Sequence, residues 1–211
     1  MNIVHLFSFM KTTPRDRRHD LTRQKILDTA RSLLLAEGIA GISMRALAEK
    51  ADYSPAALYK YFDSKEAIVE ALRQEAWQMM AAFEPEPPPA GMTSLADLYV
   101  HSGRNYIRFA SQYPEYYQLI MSTTETGPAS LEEFKQHPNF IELLRFVEAA
   151  VAAGEFELPQ GYTPLHLAML SWFTVHGISL LKLTMMSKCQ DEFEPLGIEV
   201  LEMVKTVFVK K

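Results

Sequence analysis

Residues 84–92 read Glu-Pro-Glu-Pro-Pro-Pro-Ala-Gly-Met. Four prolines and a glycine in nine residues cannot be helix: each proline lacks a backbone donor and clashes with the carbonyl one turn back. On both sides of this block apolar residues recur at helical spacing, and nowhere is there sustained alternation of β-branched residues. The chain is therefore expected to be all-α, with about nine helices in two helical regions.

Before the proline block the helices are expected at 21–37, 44–50, 56–61 and 65–83. Ile26, Ala30, Leu33 and Leu34 form the apolar face of the first, and Gly38 stops it. Ser43 can cap the second by accepting an orphan backbone N–H. Asp52 stands where the chain must turn, a position that tolerates left-handed backbone. Ser54 caps the third helix, with Pro55 at its first position, and Asp63 or Ser64 caps the fourth. Two short helices joined by a tight turn make a helix-turn-helix pattern. In it Leu58 and Phe62 face inward. Ser54, Pro55, Ala56, Tyr59, Lys60 and Tyr61 stay outside or at the rim.

Beyond the block, helices are expected at 94–112, 115–121, 131–153 with an interruption at Pro138, 163–186 and 192–209. The 211 residues suit one compact unit or a small domain on a larger one. The net charge of −5 hides an asymmetry: residues 1–72 carry 11 Lys/Arg against 9 Asp/Glu, and residues 73–211 carry 10 against 17. Arg15, Arg17, Arg18, Arg23 and Lys25 form the densest basic stretch. Residues 1–20 are expected as a flexible basic tail, a solvated run in preference to a DNA-binding arm. The start is too poor in flanking basic residues and cleavage signals for a signal peptide, and Met10 offers a second possible start.

With a single cysteine, Cys189, no intrachain disulfide can form, which suits a reducing compartment. No run of about 18 apolar residues suggests a membrane span. The six histidines are scattered without metal-site spacing, no phosphate-binding glycine loop is present, and no nucleophilic triad can be assembled. Neither a cofactor, a metal nor an enzymatic activity is expected.

Three fragments within residues 21–72 carry a family resemblance: ILDTARSLLLAEG, ISMRALAEKADYS and AALYKYFDSKEAIVEAL. Together they resemble the DNA-binding domain of the tetracycline-repressor (TetR) family. The most specific element is Leu58-Tyr59-x-x-Phe62 followed by Lys65. The sequence departs from the family at Asp52-Tyr53, where Gly-Val is usual. The resemblance implies a third helix in the major groove. Contacts would come from Ser43, Met44, Arg45, Tyr53, Ser54, Pro55, Ala56, Tyr59, Lys60, Tyr61 and Lys65. Tyr59, Tyr61 and Lys65 are expected on phosphates, and Arg45, Tyr53, Ala56 and Lys60 on bases.

For residues 73–211 the resemblance implies an effector-binding and dimerisation domain. Trp172-x-x-x-His176-Gly177 resembles a subset of the family. The last two helices are expected to pair with their copies in a homodimer. Tyr99, Tyr106, Phe109, Tyr117, Phe146, Met169, Trp172, Phe173 and His176 are candidates for a pocket that takes a small apolar or aromatic effector. Tyr116 and Phe140 share these faces, and each of these side chains has core packing as its alternative reading. The implied function is a cytoplasmic, operator-binding regulator, a repressor by family habit. Two alternatives stay open: a DNA-binding regulator that docks a protein instead of a small molecule, and a helical enzyme or binding protein with a structural helix-turn-helix.

Overall fold

The computed structural model describes residues 13–122 and 127–210. Ten α-helices and one isolated antiparallel bridge, Phe156 with Val209, make up the regular structure of the described residues. Contacts divide the chain into two units, 1–76 and 77–211. The division falls four residues beyond the expected one, inside the fourth helix.

The first unit holds α1 (Pro14–Gly41), α2 (Met44–Ala51), α3 (Pro55–Leu58) and most of α4 (Lys65–Ala81). Its core is Ile26, Ala30, Leu34, Leu47, Leu58, Ile68 and Leu72, all fully buried. Gly38 breaks the regular path of α1 at φ 69°, a left-handed value that glycine adopts without steric cost.

The flexible tail expected over 1–20 is corrected for its second half. Helix α1 starts at Pro14, seven residues earlier than the periodicity suggests. The cause is local. Thr13 Oγ1 accepts the Asp16 N–H at 3.2 Å, and the Asp16 carboxylate accepts the Thr13 N–H at 2.9 Å. This reciprocal capping box, with Pro14 at the first helical position, starts a helix without burying any apolar residue. The apolar start of the chain, residues 1–12, lies outside the described residues.

The second unit holds α5 (Leu95–Gln112), α6 (Pro114–Met121), α7 (Leu131–Phe134), α8 (Pro138–Ala152), α9 (Pro164–Leu183) and α10 (Gln190–Phe208). The segment expected as one interrupted helix over 131–153 is two helices, because Pro138 opens a new one. Helices α5, α8, α9 and α10 surround a core that includes Tyr99, Phe140, Val147, Leu167, Val175 and Leu201. Two glycines set the spacing around α10. A Cβ on Gly103 of α5 would lie 2.5 Å from Leu201 Cδ2, and one on Gly197 of α10 would lie 2.7 Å from Ile178 Cγ2 of α9. Ser94 caps α5, and Glu155 accepts both the Ala96 N–H and the Ser94 hydroxyl, at 3.0 and 2.9 Å.

Against the sequence expectation, one helix is long and apolar enough to cross a membrane by length and composition. This is α9, with a mean hydropathy of 1.3. It packs into the helical core through Leu167, Ala168 and Val175. It also leaves Phe173 and Leu180 more than half exposed. Its Lys182 is buried and ion-paired to Glu194 of α10, with Ser111 Oγ 2.8 Å away.

Candidate nucleic-acid interface and ligand cavity

The interface candidate is built by caps. Ser43 Oγ accepts the Ala46 N–H at 3.1 Å, Ser54 Oγ the Ala57 N–H at 3.2 Å, and Ser64 Oγ the Ala67 N–H at 3.2 Å. Between α2 and α3, Asp52 takes the left-handed conformation, φ 61° and ψ 49°. Its N–H closes on α2, and the Tyr53 N–H reaches back to the Ala48 carbonyl at 2.9 Å. That six-to-one bond reverses the chain in the manner of a Schellman turn.

Regular α3 ends at Leu58, shorter than the expected 56–61. The chain then tightens: Lys60 N–H bonds Ala57 O at 3.3 Å, and Tyr61 N–H bonds Leu58 O at 2.9 Å. Leu58 and Phe62 are buried beneath this turn. Ser43, Arg45, Ser54, Pro55, Ala56, Tyr59 and Lys60 are exposed, while Met44, Tyr53, Tyr61 and Lys65 are half-buried. The eleven sequence-selected residues lie on α2 and its cap Ser43, the turn to α3, α3 itself, the tight turn over 59–61 that follows it, and the start of α4. Two aromatics among them are held from α1. The Tyr61 ring lies 4.8 Å from that of His19, and the Lys25 ammonium sits 5.0 Å over Tyr53. The start of α3 presents small side chains, so backbone can approach a groove there. The exposed positive charge comes from Arg45 and Lys60.

In the second unit a cavity of about 540 Å³ opens between α5, α8, α9 and α10. Tyr99, Tyr106, Phe146 and Trp172 line it, as selected from the sequence. The other five candidates do not. Phe109 is fully buried against Phe83 and Tyr113. Met169 packs on the core and is not part of the lining. Phe173 is 61% exposed, because it follows Trp172 by a single residue and so points about 100° away around α9. Tyr117 and His176 stand behind Tyr106 and hold it. Of the other two aromatics, Tyr116 packs against Tyr113 and Phe140 lies under Trp172. Sequence reasoning missed Ser102, Gly103, Asn139, Leu143 and Leu201 of the lining. These residues carry no aromatic signal, and only the packing of four helices brings them together.

The wall behind the cavity is polar but neutral. The Tyr106 hydroxyl lies 2.9 Å from His176 Nδ1, and Tyr117 donates to the His176 carbonyl at 3.4 Å. Burial lowers the His176 pKa to about 4, keeping the imidazole neutral and able to accept. Burial likewise pushes Tyr117 up to about 12 and raises Tyr106 and Tyr99. Tyr99 donates to Ser171 Oγ at 3.0 Å, and Ser171 donates to the Leu167 carbonyl at 2.6 Å. The two charged side chains at the cavity, Glu142 and Arg145, are exposed and paired to each other at 3.1 Å. Arg104 and Arg108 are not part of its lining. They pair with Glu202 and Glu86, at 3.1 and 2.7 Å. No group of three or more His, Cys, Asp or Glu side chains suited to a metal occurs among the described residues.

A capped helix-turn-helix with an exposed face in one unit, and a larger helical unit with its own cavity, together define a helix-turn-helix transcription regulator. Residues 26–72 match the family described as bacterial regulatory proteins, tetR family, and residues 100–194 match the tetracyclin repressor-like C-terminal domain. The chain belongs to the TetR family of regulators. It is 31% identical over 109 residues to YobS, an uncharacterized HTH-type transcriptional regulator of Bacillus subtilis (strain 168). That match spans 49% of the chain and about half, 53%, of the length of this curated relative. A solved structure of a protein with unknown function from Rhodococcus sp. RHA1 superposes with a TM-score of 0.70 at 24% identity, covering 90% of this chain and 96% of that one. A TetR-family transcriptional regulator from Pectobacterium atrosepticum gives 0.64 at 19% identity, covering 92% and 97%. Both show the fold.

Proposed function

We propose that the chain is a dimeric repressor that leaves its operator when a small, uncharged, apolar or aromatic molecule fills the cavity of residues 77–211. The observation that carries the effector reading is the cavity itself. About 540 Å³ lined mainly by apolar and aromatic side chains is the size and character of a small-molecule site. Its inner groups are neutral at physiological pH, so a charged ligand would be stripped of water without a counter-charge. Tyr99, Tyr106, Phe146 and Trp172 are the contact residues of this reading.

For the operator, Tyr59, Tyr61 and Lys65 grip phosphates and fix the docking, while Arg45, Tyr53, Ala56 and Lys60 face base edges. The small start of α3 shifts the work of discrimination to Arg45 and Lys60. Members of the family usually act as homodimers. In this chain α9 and α10 supply the apolar surface for pairing: Phe173 and Leu180 on α9, and Leu196, Met203 and Val207 on α10, are each more than half exposed. A two-fold dimer reads half-sites about 34–36 Å apart. Such a protein acts where the chromosome is, in the cytoplasm.

The test is binding to the DNA upstream of the chain's own gene. Lys65→Ala should weaken binding on every sequence alike and make the salt dependence shallower by about one unit of slope. Arg45→Ala should relax preference at one base position, at about 1–3 kcal/mol. Absence of sequence preference in the wild-type protein at low salt would remove the repressor reading. Operator binding that no neutral aromatic compound relieves would remove the effector.

A further inference from the structure

We propose that the first turns of α1 are a preformed basic arm that grips the DNA backbone beside the recognition element. Nothing in the core requires this extension: residues 14–20 are exposed. Yet the segment is folded by its own capping box, so its charges are held in place before any partner arrives.

The arginines at its start have no acidic partner, although Arg18 Nε donates to the Pro14 carbonyl at 3.2 Å. Residues 13–25 hold five basic side chains, Arg15, Arg17, Arg18, Arg23 and Lys25, against Asp16 and Asp20, a balance of +3. Of the two carboxylates, Asp16 is held locally and Asp20 approaches only its neighbour His19. Asp16 takes the Thr13 N–H, and Asp20 lies 3.8 Å from His19. Arg15, Arg17 and Arg18 make no ion pair among the described residues, and residues 1–12 contain no Asp or Glu to supply one. Further along the same helix the pattern is different. Arg31 is paired to both Asp28 and Glu75 at 2.8 Å, as expected of a helix face that is merely solvated.

The arm is also anchored in the right place. His19 lies against Tyr61 at 4.8 Å, the Arg23 guanidinium sits 4.5 Å over Phe62, and Lys25 lies over Tyr53. These three rings bracket α3. Arg15 and Arg18 are exposed and lie within about one helical turn of His19, roughly 6 Å along the axis. A planar guanidinium meets phosphate oxygens in a bidentate fork, and three of them in about one turn match a polyanion with closely spaced charges. The partner is duplex DNA, held by its phosphates and not by its bases.

The test uses the full chain with Arg15, Arg17 and Arg18 all changed to Gln. Circular dichroism first verifies that helix content is retained. Anisotropy of two labelled duplexes, one of mixed sequence and one from upstream of the chain's own gene, is then followed between about 50 and 200 mM salt. Loss of affinity on both duplexes by the same factor, about ten- to hundredfold, with a slope shallower by about 2–3, supports the arm. The triple lysine variant should recover most of the slope, because charge and not base readout is at work. An unchanged slope in the glutamine variant overturns the arm, as does a loss confined to the upstream duplex. The inference rests on the DNA-binding reading, but the two fail differently. A wild-type protein that binds neither duplex sinks both, whereas unaltered binding by the glutamine variant sinks the arm alone.

Discussion

Lowering the pH should destabilise the protein through His176, and the size of the effect can be worked out. The imidazole is held in its neutral form by burial, with a pKa near 4, and its Nδ1 is hydrogen-bonded with the Tyr106 hydroxyl at 2.9 Å. Tyr106, Tyr117 and Trp172 face it. An unfolded histidine titrates near 6.5. Between these two values the unfolded chain binds the proton and the folded chain does not, so stability rises with pH. The contribution is complete above about pH 7 and falls as the pH drops. About 2 kcal/mol is lost by pH 5 and about 3 kcal/mol by pH 4 from His176 alone; burial shifts His137 in the same direction. The comparison variant is His176→Gln, whose amide can accept from or donate to Tyr106 but does not titrate. Urea unfolding of both proteins, followed by far-ultraviolet circular dichroism at fixed protein concentration, should show the wild type losing about 2 kcal/mol more than the variant between pH 7 and pH 5. Parallel pH profiles would refute the assignment of a buried, neutral His176.

Two further outcomes are expected. Asp52→Gly should raise the stability of residues 1–76 by roughly 0.5–1 kcal/mol, because the left-handed backbone at φ 61° is strained for a residue with a Cβ. Asp52→Ala should lower it, and equal melting temperatures for the two variants would show that the turn is not under this constraint. Phe173→Glu puts a charge on the exposed apolar face of α9 and should convert a dimer to a monomer in sedimentation at micromolar concentration while leaving helix content intact. An unshifted sedimentation coefficient would place the dimer contact elsewhere.

What could be read from the sequence was what local chemistry decides. Ser43, Ser54 and Ser64 cap helices, Pro55 opens one and Asp52 turns left-handed, because each acts on backbone groups within four residues of itself. The same kind of signal marks Thr13 and Asp16, yet the arginine run beside them masks it: charge suggests a solvated tail, and a capping box overrides that by supplying two reciprocal bonds. The cavity was half legible for a different reason. Helix α9 is apolar on nearly every side, so periodicity cannot say which side faces in. Trp172 lines the cavity, while the neighbouring Phe173 lies open to solvent. Small or polar residues such as Gly103 and Asn139 reach the cavity only through the crossing of α5 and α8 with α9 and α10, a property of tertiary packing that no window of sequence contains.

The chain has two tryptophans, and both flank one imidazole. The Trp77 ring lies 4.6 Å from His137, and Trp172 lies 6.4 Å from it. Residues 1–76 contain none. Tryptophan emission, excited apart from the tyrosines, therefore arises only in the larger unit, whereas circular dichroism sums both. A melt followed by the two signals at once separates the halves of the molecule without a label. Coincident curves mean that the units lose structure as one cooperative block. A lag between them gives each its own stability.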